Sequence, residues 1–283
     1  MRCSSLVLIG AALSGLARSD RAHAGACCVG ATSTVPTRLG ECEHWLAGMG
    51  IQGESTQGLW DSSGAVVATT MVDEAVISTM AMAWRWDREG QLFATLPARI
   101  NHRAAGGLDE TAAGLSDLRA GVIWDPINES PDGLWPVPVL TLGARLPTGV
   151  DWTESETDLQ TDVTGLVGPA LIGVVTAERT LGPIPWSIGA DMEASTTLTA
   201  LGATASLGRY IGTRWSLGGS LRYSITTAAG ATTSRTNAGL RLTRGQPLRW
   251  RGWLGVDSDV PVAGLGQSTM RQVHTSLGVA LIR

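Results

Sequence analysis

Lysine is missing altogether. All 21 basic residues of this 283-residue chain are arginine, the mark of GC-rich codon usage and uninformative about mechanism. Charge of either sign is scarce. Charged residues make up 16% of the chain and the formal net charge is −4, which leaves no basic patch for a nucleic acid. Long apolar runs are also missing. No segment approaches the roughly twenty consecutive apolar residues of a membrane helix, which excludes a helical membrane protein but not a membrane barrel. No stretch has the periodicity of an amphipathic helix that could cover a sheet. At this length two ordinary domains would fit, yet all-β barrels reach it as one.

What the chain does contain is alternation. From Gly114 to Gly149 two runs place apolar residues on every second position. In the first, Leu118, Ala120, Val122 and Trp124 share a face opposite Asp117, Arg119 and Gly121. In the second, Leu140, Leu142, Ala144 and Leu146 oppose Thr141, Gly143 and Arg145. A two-residue period is that of a strand. With no helices to cover such strands, the sheet must cover itself, which closing into a barrel achieves. The same pattern recurs before and after this stretch and predicts an all-β fold: a closed antiparallel transmembrane barrel of about twelve strands, an even number as in bacterial barrels. With the first strand running outward, the predicted inner connections (87–90, 125–136, 181–185, 211–213 and 245–248) are mostly short. The outer ones (53–74, 103–113, 150–167, 197–200, 226–235 and 260–271) are mostly long, as outer-membrane barrels require. Trp45, Trp84, Trp86, Trp124, Trp186, Trp215 and Trp250 fall at strand ends on the short-turn side of the lipid-facing surface. This predicts one aromatic belt at a membrane–water interface.

The N-terminus reads as an export signal. Arg2 precedes the apolar run Ser5 to Ala17, and Ala22-His23-Ala24 has the small-x-small form of a cleavage site. The expected organisation is a signal peptide over 1–24, a periplasmic segment over 25–37 and the barrel over 38–283. Ala24-Gly25-Ala26-Cys27 lacks the leucine of a lipoprotein box. Cys27, Cys28 and Cys42 remain after cleavage, and in an oxidising compartment Cys42 can pair with either of the vicinal two. A metal at these thiols would need His44 as well, and no metal or cofactor is assigned.

The pattern Gly-Leu-Ser-Asp-Leu-Arg-Ala-Gly followed by Leu-Gly-Ala-Arg-Leu-Pro-Thr-Gly resembles strands of the outer-membrane barrels grouped as transporters of the MetA-pathway of phenol degradation. The resemblance covers residues 38 to 283. Two departures stand out: Ser116 occupies a usual glycine position, and the chain ends Leu281-Ile282-Arg283 instead of on an aromatic residue. The resemblance implies a channel or transport role without identifying a cargo.

Parity places Arg85, Arg99, Asp117, Arg119, Arg145, Asp191, Glu193, Arg222, Arg241, Arg251 and Asp257 on the luminal faces. Two readings follow. An arginine ladder in a confined lumen favours anionic solutes; alternatively, arginines and acids pair across the lumen and fill it. His274-Thr275-Ser276 has the His-x-Ser spacing of membrane-barrel hydrolases, but both residues face inward and no acid partner can be assigned, so no catalytic residue is named. The loop carrying Asp151, Glu154, Glu156, Asp158 and Asp162 is expected to be external, flexible and solvated; the competing reading has it bridge divalent cations to lipopolysaccharide or a partner. The expected partners are outer-membrane lipid and lipopolysaccharide, the barrel-insertion machinery and an unidentified small solute. The competing function is a structural or adhesive barrel acting through its loops.

Overall fold

Alternating apolar residues with no helical partner leave one way to bury the backbone, and the chain takes it. The computed structural model describes residues 38–39, 43–60, 65–125, 135–212, 214–228, 231–244, 250–260 and 270–283. The strands are β1 (Trp45–Trp60), β2 (Val66–Val67), β3 (Val72–Arg85), β4 (Gly90–Ala105), β5 (Leu108–Leu115), β6 (Leu118–Trp124), β7 (Val137–Leu146), β8 (Ala170–Leu181), β9 (Ile184–Ala194), β10 (Leu198–Ile211), β11 (Trp215–Ala228), β12 (Ala231–Arg244), β13 (Trp250–Asp259) and β14 (Met270–Ile282). Neighbours pair antiparallel in chain order, and β14 returns to β1 over the register Leu46↔Ile282 to Leu59↔Met270. β2 is a two-residue extension, and β5 and β6 are halves of one interrupted strand lying along β4. The wall is therefore a closed antiparallel barrel of twelve strands.

The outer surface is apolar and exposed. Met82 is 64% and Leu171 69% accessible, and Met80, Ile188, Leu201, Leu254 and Leu277 stand out in the same way on other strands. A water-soluble protein does not present so continuous an apolar skin, whereas a barrel in lipid requires one. Trp45, Trp84, Trp86, Trp124 and Trp215 are exposed on this surface, while Trp186 and Trp250 are half-buried on it. The buried apolar cluster lies inside the barrel, at its short-turn end: Leu46, Ala81, Ala83, Trp253, Ala280 and Ile282, with Phe93 against it.

Three of the outer connections expected from the sequence are corrected. The segments expected as loops over 103–113, 197–200 and 226–235 are largely strand. β4 and β5 continue to a hairpin at Gly106-Gly107, where φ values of 61° and 89° admit glycine readily. Likewise β10 begins at Leu198, and β11 and β12 pair as far as Ala228↔Ala231. The expected segment 53–74 is also mostly wall, since β1 runs to Trp60 and β3 starts at Val72. Beyond the lipid layer the outer face need not be apolar, so alternation fades while the hydrogen-bonded ladder continues. The span 147–169, between β7 and β8, is a true long connection.

The expected signal peptide, the segment 25–37 and the three cysteines Cys27, Cys28 and Cys42 lie outside the described residues.

Candidate functional site

The interruption between β5 and β6 sits at Ser116-Asp117, within the stretch on which the sequence is organised. Below it β6 pairs with β7, beginning at Leu118↔Leu146; above it β5 pairs only with β4. The gap is closed by the connection 147–169, which folds inward. Thr148 Oγ1 donates to the Ser116 carbonyl (2.6 Å) and accepts from the Leu118 N–H (3.0 Å). The Gly149 N–H donates to Asp117 Oδ1 (3.2 Å), and the Leu166 N–H to Asp117 Oδ2 (2.9 Å). The two motifs that carried the family resemblance thus form a single joint. Gly149 and Gly165 meet there backbone to backbone: a Cβ on Gly149 would lie 2.7 Å from the Gly165 nitrogen.

Arg145 anchors the joint from inside the barrel. It is 1% exposed and reaches Asp117 (2.7 Å) on one side and Glu193 (2.6 Å) on the other, while also donating to the carbonyls of Leu166 and Gly168 (both 3.1 Å). Arg119 shares Glu193 at 3.2 Å. A buried charge left without its partner is costly, so this cluster holds the connection in one place. Further contacts fix it to the luminal face of β4 and β5. Asn101, 1% exposed, donates to the carbonyls of Thr161 and Val163, and Arg103 to those of Leu159 and Gln160. Asp162 accepts from Ser155 Oγ (2.5 Å), the Glu156 N–H (2.7 Å) and Thr157 Oγ1 (2.8 Å). The Ser155 hydroxyl, followed by the other donors, holds the Asp162 carboxyl at about 2, against an ordinary 3.8. The Thr153 hydroxyl likewise lowers Asp151. The acidic segment expected to be flexible is therefore bonded internally through Asp151 and Asp162 and docked on the inner wall through Asn101 and Arg103.

The remaining luminal residues are mostly paired. Arg99 meets Glu54 at 2.8 Å and Arg222 meets Asp191 at 2.7 Å. Arg235 meets Asp259 at 2.6 Å. Arg241 lines a cavity of about 520 Å³ together with Arg119, Arg222, Ser220, Asn237, Glu54 and His274. Asp257, on the same cavity, bonds His274 Nδ1 at 2.6 Å. The expectation that His274 lacks an acid partner is thereby overturned: β13 and β14 place the two directly opposite each other. The other His274 nitrogen faces Glu54, 4.0 Å away.

At the short-turn end a second set of inward contacts appears, one that no sequence pattern announces. Leu39 is 2% exposed inside the apolar cluster. Its N–H donates to Gln91 Oε1 (2.8 Å) and its carbonyl accepts from Arg85 (2.8 Å), which also donates to the Glu43 carbonyl. Arg251 holds the Glu43 carboxylate at 3.0 Å, and Arg38 bridges Asp125 and Glu178. Arg85 and Arg251 are thus holders of the N-terminal segment inside the barrel mouth.

No protein-family model matches the chain, and no curated protein matches it. Solved structures do. An outer membrane channel from Pseudomonas putida F1 superposes with a TM-score of 0.65 at 10% identity, over 87% of this chain and 98% of that one. The fold is that of an outer-membrane β-barrel. The translocator domain of the autotransporter NalP from Neisseria meningitidis aligns with a TM-score of 0.51 at 13% identity, over 84% of this chain and 88% of that domain. The beta domain of the Bordetella autotransporter BrkA gives 0.51 at 12% identity, over 85% of this barrel and all of that domain. At such identities the likeness is one of fold alone.

Proposed function

We propose that this chain is an outer-membrane channel for small polar solutes in a Gram-negative cell, related to the barrels of the phenol-degradation transporter group. The observation that carries this reading is a polar luminal cavity of about 520 Å³ within a wall whose outer face is apolar. Twelve strands lie between the filled eight-stranded barrels and the water-filled sixteen-stranded porins, so the passage is narrow. Because most luminal arginines have carboxylate partners, the lumen is closer to charge-balanced than to an anion ladder. Arg119, 47% exposed and sharing Glu193 with Arg145, is the cation most open to an anionic or polar aromatic solute. His274, Asp257 and Ser276 belong to this lining and carry no proposed catalysis. The channel engages outer-membrane lipid and lipopolysaccharide with its skin and reaches the membrane through the barrel-insertion machinery.

Conductance and liposome swelling of the refolded protein, comparing small anions, cations and neutral aromatics, test this reading. Selective permeation with a modest anion preference is expected, and that preference falls in Arg119→Gln. A folded barrel that passes nothing favours the second reading, a structural or adhesive barrel. That alternative draws support from the inward-folded Leu39 and the paired charges, both of which obstruct flow.

A further inference from the structure

Most luminal arginines find carboxylates; Arg244, on the outer surface, finds none among the described residues. Arg244 ends β12 on the lipid-facing side, level with the tryptophans of the short-turn end. Its strand neighbour Trp215 is directly opposite, and the guanidinium carbon stands 5.2 Å from the Trp215 ring centroid and 5.0 Å from that of Trp250. Three successive strands thus build one arrangement of an arginine between two indoles. Gly252 helps to form it, because the Trp250 ring folds back over that position, 3.1 Å from where a Cβ would be. Apart from the two rings, Arg244 makes no hydrogen bond or ion pair among the described residues, and its Nε is buried without a partner.

At the edge of an apolar skin an arginine sits at headgroup depth, where its charge can be received by a polar group. The indoles hold the cation by their faces, which fixes the plane of the guanidinium and leaves its donor edge to be satisfied. The matching acceptor at that depth is a tetrahedral phosphate, which takes two parallel N–H bonds from an arginine fork. We propose that Trp215, Arg244 and Trp250 form a binding site for the phosphate of a glycerophospholipid headgroup. Short turns of outer-membrane barrels face the periplasm, so the lipid belongs to the inner leaflet. This rests on the outer-membrane placement proposed above.

The test is native mass spectrometry of the full mature chain released from micelles, titrated with palmitoyl-oleoyl phosphatidylglycerol, the matching phosphatidylethanolamine, the matching diacylglycerol, or lipid A. Insertion into vesicles of the two phospholipids is checked separately. The expected result is one retained phospholipid of either headgroup, no retained diacylglycerol, and retention about tenfold weaker in Arg244→Gln, the scale of a lost charge-assisted hydrogen bond. Arg209→Gln, which removes a lone outward arginine on β10, leaves retention unchanged. Should Arg244→Gln fail to refold, Arg244→Lys is the test: it keeps the charge without the fork, so weakened retention supports the site and unchanged retention overturns it. Unchanged retention in folded Arg244→Gln, an equal loss in Arg209→Gln, or preference for lipid A over both phospholipids overturns the proposal. A chain that does not insert into vesicles overturns the membrane placement itself.

Discussion

The two ends of the barrel hold their inward-folded residues in different ways. At the outer end the connection 147–169 is tethered on both sides and held by the buried charges of Asp117, Arg145 and Glu193, whose separation would strand a charge. At the short-turn end Arg38 and Glu43 are likewise paired, to Asp125 and Glu178 and to Arg251, but Leu39 is held by apolar contact with two hydrogen bonds to its backbone. The outer joint rests on buried charge, whereas the short-turn end adds an apolar anchor.

Several experiments break or sharpen this contrast. The largest effect belongs to the clamp: Asp117→Ala leaves Arg145 without one of its two carboxylates and costs about 3–5 kcal/mol, read as a lower denaturant midpoint for loss of the barrel's heat-modifiable gel shift. Gly149→Ala comes next. Its Cβ is forced against backbone that cannot yield cheaply, costing about 1–3 kcal/mol by the same assay. Leu39→Asp moves the other end. A carboxylate cannot remain in the apolar cluster, so the contacts of Leu39 are lost while the wall keeps its stability, and tryptic cleavage after Arg38 accelerates. The smallest effect is the acid response of the outer connection. The folded Asp162 value lies below its unfolded one, so its contribution is fully present above 3.8 and is lost as pH falls through about 2. Hydrogen exchange at Glu156 should rise across that window, and Asp162→Asn should abolish the pH dependence.

How much of this was legible in the sequence follows from what enforced the pattern. Lipid acts on every outward residue of β3, β4, β10, β11 and β14, so alternation revealed these strands and their outer faces directly. Alternation fades at Arg103 to Ala113 and Thr226 to Arg235, where the ladder continues beyond the lipid and strand reads as loop. Parity could assign Arg145 and Asp117 to the inner side, but their contact depends on Thr148 and Gly149 folding back, a non-local event. The opposition of Asp257 and His274 requires the β13–β14 register, which alternation within each strand cannot set. Leu39 is a single apolar residue in a polar segment, and Trp253 lies between two outward positions, so neither broke a period that could be read.

The proposed channel is narrow, and Leu39 with the side chains that hold it obstructs its short-turn end. The most direct test is single-channel recording of the refolded protein beside its Leu39→Asp variant, both inserted in planar bilayers. The account predicts more frequent and longer openings of the same unitary conductance in the variant. Identical traces, or a folded variant that stays silent, would contradict it.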